Sequence, residues 1–352
     1  MIMAGGTGGH VFPALAVADR LRALGTDVFW IGTRQGLEAR VVPEHGLRME
    51  WIEVRGLRGN GLVRWLSAPF SIARAIYESV RIVRRNRPTA VLGMGGFVSG
   101  PGGVASRLLG VPLVIHEQNA LAGMTNRWLA RIATRVMAAF PGSLPDAEVC
   151  GNPVRDDILA LPAPEQRFAG RSGPLRLLVL GGSQGAQALN EVLPRALADL
   201  PGEGRPEVWH QAGSKKIEQA RAAYEAVAVE ARIEPFIDDM AAAYGWADLV
   251  FCRAGALTVA ELAAAGIGAM LVPYPYAVDD HQTRNAAYLT GAGAALLLPE
   301  SQLNAKSLLA HLRPLLDDRA RLLEMAQRAR DLARPEATRR LAEVCLEVSA
   351  HG

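Results

Sequence analysis

Apolar residues come in short blocks separated by longer amphipathic stretches, and the order repeats. Met1–Ala4 is apolar and runs into Gly5-Gly6-Thr7-Gly8-Gly9-His10. Pro13–Leu24 then places Leu15, Val17, Ala18 and Leu21 at helical spacing and stops at Gly25, after which Val28–Ile31 is apolar again. An apolar block, a glycine turn, a helix and a second apolar block describe a strand–helix–strand unit on a parallel sheet. Ala90–Leu92 leads into Gly93-Met94-Gly95-Gly96-Phe97. Leu113–His116, Val136–Ala139 and Glu148–Cys150 read as later strands, with a helix around Thr125–Ile132.

Asp157–Pro174 contains Pro162, Pro164 and Pro174, shows little periodicity and reads as linker. The order then restarts. Leu175–Leu180 is near-continuously apolar, as in a strand buried on both faces, and is followed by Gly181-Gly182-Ser183-Gln184-Gly185 and a helix from Ala186 to Leu197. Strands are predicted at Glu207–His210, Arg232–Pro235, Leu249–Cys252 and Ala269–Val272, with a helical tail over Asn304–Val348. The expected fold is α/β, with two tandem doubly wound Rossmann-like domains facing a cleft. The expected boundaries are 1–156, a linker at 157–174, and 175–352, the C-terminal helix being able to pack back on the first domain. Ligands of such sheets bind outside the carboxyl ends of the strands, which makes the shared cleft the default site.

Composition narrows the class. Of 352 residues, 50% are hydrophobic and 21% charged, which excludes wholesale disorder. Cys150, Cys252 and Cys345 lie far apart without a C-x-x-C spacing, so neither a disulfide scaffold nor a zinc ribbon is expected, and a reducing compartment fits. The longest uncharged stretch, Pro88–Ser106, is too rich in glycine to span lipid as a helix. Charge is uneven. Residues 1–155 carry 18 basic and 10 acidic side chains, and the remainder 20 and 25. The first half is therefore expected to meet something anionic, nucleic acid or a membrane surface.

Neither glycine loop fits G-x-G-x-x-G, no G-x-x-x-x-G-K-[ST] occurs, and Val28–Ile31 runs into Gly32-Thr33-Arg34 without the acid a dinucleotide ribose needs. The loops are either tight turns or phosphate cradles at helix N-termini. His10 is either a proton acceptor for a substrate hydroxyl or a histidine bonded to nearby backbone. After Leu249–Cys252, the run Ala256, Leu257, Thr258, Val259, Ala260 would let a diphosphate sit on backbone N–H groups. Glu261, one turn after Thr258, fits the hydroxyls of a ribose, yet T-x-x-E is equally a capping box. Asp238-Asp239 and Asp279-Asp280-His281 read as helix caps rather than metal ligands, and no residue set suits a hard divalent cation, so no metal and no cofactor are expected. Gln282 stands where it could reach a sugar hydroxyl.

Leu62–Arg87 carries Arg64, Arg74, Arg81, Arg84, Arg85 and Arg87 against one acid, Glu78, with Trp65, Leu66, Phe70, Ala73, Tyr77 and Val80 at helical spacing. This is either a core-facing stripe with a solvated basic face or an element that dips into an anionic bilayer. Nucleic-acid binding is the weaker option, since no motif accompanies the charge.

Seven blocks resemble, in order, one family. They are Ala4–Pro13, Gly56-Leu57-Arg58-Gly59, Gly93–Pro101, His116-Glu117-Gln118-Asn119, Gly151-Asn152-Pro153-Val154-Arg155, Gly181–Ala186 and Gly255–Glu261. The likeness is to the MurG family of bacterial UDP-N-acetylglucosamine:lipid I N-acetylglucosaminyltransferases. It implies a GT-B glycosyltransferase with an N-terminal acceptor domain and a C-terminal donor domain. The implied reaction moves GlcNAc from UDP-GlcNAc to the muramyl C4 hydroxyl of lipid I, an undecaprenyl-pyrophosphate-linked muramyl pentapeptide. Transfer proceeds with inversion, requires no metal, and gives lipid II for peptidoglycan. The implied location is peripheral, on the cytoplasmic face of the bacterial inner membrane, with cell-wall synthesis proteins as possible further partners and no nucleic acid. Carried over by motif, Ser183 and the Ala256–Thr258 helix start hold the UDP phosphates, Glu261 the ribose, the Ile237 backbone the uracil and Gln282 the GlcNAc hydroxyls. Arg155 and Asn119 complete the donor contacts. Thr7, Gly8 and Gly9 face the reacting sugar and the acceptor phosphates, and His10 is the candidate general base. The membrane-contact candidates are Trp65, Leu66, Phe70, Arg74, Tyr77, Arg81, Arg84 and Arg85. The competing readings are another UDP-sugar glycolipid transferase, a UDP-GlcNAc 2-epimerase, a non-catalytic binding subunit and, last, a dinucleotide oxidoreductase.

Overall fold

The apolar blocks form strands, joined by strands the pattern did not mark, and among the described residues every strand pair is parallel. The computed structural model describes residues 1–54, 62–182 and 184–350. Contacts divide it into two units, Met1–Val154 with the segment from Pro335 onward, and Arg155–Arg334.

The first unit carries β1 (Ile2–Met3), β2 (Phe29–Gly32), β3 (Arg48–Trp51), β4 (Val91–Gly93), β5 (Leu113–Glu117), β6 (Arg135–Ala138) and β7 (Glu148–Val149). Their order across the sheet is β3-β2-β1-β4-β5-β6-β7. The second unit carries β8 (Arg176–Leu180), β9 (Glu207–Gln211), β10 (Arg232–Glu234), β11 (Leu249–Cys252), β12 (Gly268–Leu271) and β13 (Ala295–Leu297), in the order β10-β9-β8-β11-β12-β13. Strand order reverses between β1 and β4 in one sheet and between β8 and β11 in the other. The glycine-bearing segments singled out above follow these four strands, which places them at the topological switch points where ligands of such sheets bind.

Several elements differ from the sequence expectation. The first helix spans Gly8–Ala23, so Gly8, Gly9 and His10 lie in its first turn and Pro13 lies inside it. Pro13 lies beyond the first turn, where a proline gives up the N–H bond to Gly9 and crowds the Gly9 carbonyl. The 157–174 stretch is folded rather than linker. It forms helices Asp156–Leu159 and Pro164–Phe168, the latter with proline at its start, where a missing N–H costs nothing. Arg167 is buried and donates to the Gly266 carbonyl. Arg171 binds the Gly245 and Ala247 carbonyls at 2.6 and 3.0 Å and pairs with the buried Asp248, so the segment is part of the second unit.

The helical tail is three helices, Ala305–Leu316, Arg319–Asp331 and Ala337–Ala350. The last belongs to the first unit, where Leu341, Ala342, Val344, Cys345 and Val348 share a core with Val11, Leu15, Ala18 and Leu21. All three cysteines are buried, and burial pushes each thiol up to about 12, so none is a ready nucleophile.

Candidate active site

In the second unit the helix Ala256–Ala265 starts directly beyond β11. Its N-cap is Gly255, not Thr258, and no side chain caps it, so the capping-box reading of Thr258 and Glu261 fails. Val259 N–H donates to Gly255 O at 2.9 Å and is the first amide used within the helix. The Leu257 and Thr258 amides precede it and carry the positive end of the helix dipole. Val259 itself is wholly buried, so its side chain serves the core.

Glu261 is buried beneath this helix start. It accepts the Tyr244 hydroxyl at Oε2 (3.0 Å), and its Oε1 lies 3.6 Å from the Arg155 guanidinium. Burial raises the Glu261 carboxyl above the usual carboxylate range, while Arg155 and Tyr244 pull the other way. Tyr244, with no exposed surface, is itself raised well above an ordinary phenol, so it stays a donor. Tyr244 carried no signal in the sequence, because the helix Met240–Trp246 that presents it reads as a run of small residues.

Gln282 sits in the first turn of the helix His281–Thr290, and its carboxamide oxygen accepts the N–H groups of Ala254 (3.2 Å) and Tyr274 (2.9 Å). Both oxygen lone pairs are spoken for, which leaves the NH2 as the group with hydrogens to offer. Asp280 is the N-cap residue of this helix, but its side chain makes no capping bond. It adopts a left-handed backbone and accepts from the Thr283 hydroxyl at 2.7 Å. Asp239 does cap its helix, accepting Ala242 N–H at 2.8 Å. Ile237 follows β10 with its side chain buried. Ser183 lies outside the described residues. Its neighbour Gly185 has φ +73°, and a Cβ there would collide with the Ala212 carbonyl, so the loop after β8 is pressed against the turn after β9. Among the described residues no group of three or more His, Cys, Asp or Glu is placed to hold a metal ion.

In the first unit Thr7 is the N-cap of the helix Gly8–Ala23, with an exposed side chain that makes no capping bond. The loop is instead held from below by Glu38, which the sequence did not single out. Its buried carboxylate accepts Gly6 N–H (2.9 Å), Thr33 N–H (3.0 Å) and the Thr33 hydroxyl (2.8 Å). Side chains at Gly5, Gly32 or Gly36 would run into it, a glycine clustering that was the available signal.

The loop after β4 closes on the first one. Gly96 has φ +80°, and a Cβ there would strike the Gly5 carbonyl. His10 is half-buried, with Nδ1 3.1 Å from Gln118 Oε1. Glu117, next along, accepts from Asn119 N–H (2.9 Å), Asn119 Nδ2 (3.2 Å), Gly123 N–H (3.2 Å) and Asn126 Nδ2 (2.8 Å), which anchors Asn119 at the end of β5. His116 is buried with Nε2 2.9 Å from Gly151 O, and burial drives it down to about 4.

The basic stretch forms the helix Leu62–Asn86. The Trp65 and Leu66 side chains lie outside the described part. Phe70 (80% exposed) and Tyr77 (62%) point to solvent, while Ala75, Ser79, Ile82 and Val83 face the protein. Arg74 is paired with Glu53 and Glu78, each at 2.9 Å, and Arg85 with Glu50 at 2.5 Å, so these two arginines are engaged in the protein. Arg81 and Arg84 are exposed. The neighbouring helices Ser99–Leu108 and Met124–Leu129 pack in series against this one and expose Leu108, Met124 and Trp128 (63%). Arg131 lies over the Trp128 ring at 4.5 Å.

Comparison with known proteins decides the family. The glycosyltransferase family 28 N-terminal domain matches residues 1–138, and the family 28 C-terminal domain matches residues 176–341. A protein of Nitrosococcus oceani named UDP-N-acetylglucosamine–N-acetylmuramyl-(pentapeptide) pyrophosphoryl-undecaprenol N-acetylglucosamine transferase is 60% identical, over 99% of this chain and 98% of its own. The chain belongs to the MurG family of glycosyltransferases. A relative of the same name from Alkalilimnicola ehrlichii is 58% identical over 99% and 98% of the two chains. A crystal structure of Acinetobacter baumannii MurG superposes with a TM-score of 0.86 at 43% identity, covering 99% of each chain. The calicheamicin glycosyltransferase CalG4 shares the fold alone, at 15% identity and a TM-score of 0.69 over 99% and 98% of the chains. For this MurG-family chain the dinucleotide oxidoreductase reading is therefore set aside.

Proposed function

We infer that the chain transfers N-acetylglucosamine from UDP-N-acetylglucosamine to the muramyl C4 hydroxyl of a pyrophosphoryl-undecaprenol-linked muramyl pentapeptide, with inversion, forming lipid II. The full-length likeness to relatives bearing that name carries the substrates. The residues account for the chemistry. The helix start at Ala256–Thr258 takes the UDP phosphates, together with Ser183 by motif. There the Leu257 and Thr258 amides stabilise the charge that develops as the bond from the anomeric carbon to UDP breaks. Glu261, held at one oxygen by Tyr244, accepts the ribose hydroxyls. The Ile237 backbone takes the uracil, the Gln282 NH2 a GlcNAc hydroxyl, and Arg155 and Asn119 further donor contacts. Thr7, Gly8 and Gly9 face the reacting sugar and the acceptor phosphates. His10 takes the proton from the C4 hydroxyl as that oxygen attacks the anomeric carbon, and UDP departs with the electron pair. Mass spectrometry of the lipid product tests this. A gain of one N-acetylhexosamine, with a β1,4 linkage by NMR, is the expected result, and conversion of UDP-GlcNAc without any lipid product overturns it.

The second proposal is peripheral docking on the cytoplasmic face of the inner membrane. Phe70, Tyr77, Arg81 and Arg84 form the docking face with Leu108, Met124 and Trp128, which the sequence did not mark. Exposed aromatic and aliphatic groups beside the exposed Arg81 and Arg84 suit an anionic bilayer surface. No helix among the described residues is long and apolar enough to cross a membrane.

A further inference from the structure

The His10 imidazole has one partner whose own orientation is fixed independently. Gln118 is buried, and its Nε2 donates to the Met94 carbonyl at 2.8 Å. A carbonyl oxygen can only accept, so the amide nitrogen faces Met94 and Oε1 faces the histidine. The backbone of Gln118 is tied down as well, its carbonyl accepting Asn152 Nδ2 at 3.0 Å. Oε1 in turn can only accept, so the ring nitrogen 3.1 Å away, Nδ1, must carry hydrogen. Gly95 leaves the room for this contact. A Cβ there would stand 2.6 Å from His10 Nδ1 and 3.2 Å from Gln118 Oε1.

We propose that Gln118 is a positioning residue that holds His10 as its Nδ1–H tautomer and so presents Nε2, lone pair outward, to the acceptor hydroxyl. The proposal rests on the reading of His10 as general base and adds how that base is set. A histidine base needs its accepting nitrogen unprotonated and aimed, and a hydrogen bond at the other nitrogen supplies both conditions. The partner here is a neutral carboxamide. It fixes tautomer and ring plane without adding a negative charge that would favour the imidazolium. The charged or titratable groups nearby are bonded elsewhere. Glu38 holds the glycine loop, Glu117 holds the Asn119 turn, and His116, bonded to Gly151 O and driven down to about 4, stays neutral through the working pH range.

The test combines one spectrum with two variants. Nitrogen-15 NMR of the histidine side chains, with the His10 signals assigned by their loss in His10→Ala, reads the tautomer in the intact protein at neutral pH. The Nδ1–H form is expected in the native protein, and a mixture, or the Nε2–H form, in Gln118→Met, which keeps the volume and removes the acceptor. In the same variant kcat is expected to fall roughly 10–100-fold, part of the ~10²–10⁴ of a general base, with KM for UDP-GlcNAc within about twofold. A native His10 in the Nε2–H form, or a Gln118→Met enzyme of unchanged kcat, overturns the proposal. His10→Ala keeps the two readings apart. If that variant retains near-full turnover, the general-base reading fails and the positioning role fails with it. If it loses turnover while Gln118→Met does not, only the positioning role fails.

Discussion

Glu38 accepts the Gly6 N–H at 2.9 Å across 32 residues of chain, so a buried carboxylate sets the backbone of the glycine loop that leads into the His10 helix. Glu38→Ala would strand the Gly6 and Thr33 donors. Gly6 is exposed and Thr33 half-buried, so water replaces part of these bonds; a net loss of about 1 kcal/mol is expected, and the first unit should melt a few degrees lower. kcat should fall with little change in KM for UDP-GlcNAc. Glu38→Gln, which keeps one acceptor, should lie between. Calorimetry with steady-state kinetics checks this, and unchanged melting with unchanged kcat would remove Glu38 from the account.

The proposed ribose contact makes Glu261 and Tyr244 a graded test of donor binding. Glu261→Ala should raise KM for UDP-GlcNAc by about tenfold or more, the loss of charge-assisted bonds of about 1.5–3 kcal/mol. Tyr244→Phe removes one bond of about 1 kcal/mol and should raise it about fivefold. Titration with UDP, which carries the ribose without the sugar, should show the same order. Equal affinity in all three proteins would move the ribose elsewhere.

Acid should weaken the second unit through His210. Its ring lies between Tyr224 OH and Asn190 Oδ1, each at 3.0 Å, and burial drives it down to about 3. An unfolded histidine titrates near 6.5. Between the two values the unfolded chain binds the extra proton. This contribution is therefore complete above about pH 6.5 and is lost as pH falls, at about 1.4 kcal/mol per pH unit. His116 acts in the same sense in the first unit, with its lower end at about 4. Melting followed from pH 7 to pH 4.5 should show both units weakening below about pH 6.5, and a flat profile down to pH 5 would contradict the buried neutral assignment.

For docking, sedimentation with vesicles containing anionic lipid is the direct assay. Trp128→Glu and Phe70→Glu should each weaken binding severalfold, as should raising salt from 0.1 to 0.5 M, while Arg74→Gln, already paired to Glu53 and Glu78, should do little. Binding indifferent to both salt and Trp128 would place the docking face elsewhere.

Much of this was legible in the residues, and the part that was not has a common cause. Leu175–Leu180 announced β8 because a strand buried on both faces is apolar throughout. β3, Arg48–Trp51, is an edge strand carrying two charged residues and shows no such pattern, and β13 is three residues long. The helix start beyond β11 was visible from its small residues. The spacing of Thr258 and Glu261 fits a capping box as well as a ribose site, and the position of Gly255 as N-cap sets the capping box aside. Glu38, Tyr244 and Gln118 meet their partners across 32, 17 and 108 residues. Such pairings depend on strand order, and local spacing does not encode them. The proline-rich 157–174 segment resembled linker because helices of four and five residues are too short to show a period.

Glycosyl transfer to a lipid-linked acceptor is read by UDP release from UDP-GlcNAc, measured in EDTA with and without a short-chain muramyl-pentapeptide pyrophosphoryl lipid. Release is expected only when the acceptor is present, matched mole for mole by a new disaccharide lipid and undiminished by the chelator. Release that ignores the acceptor, or tight UDP-GlcNAc binding with no release at all, would contradict such transfer.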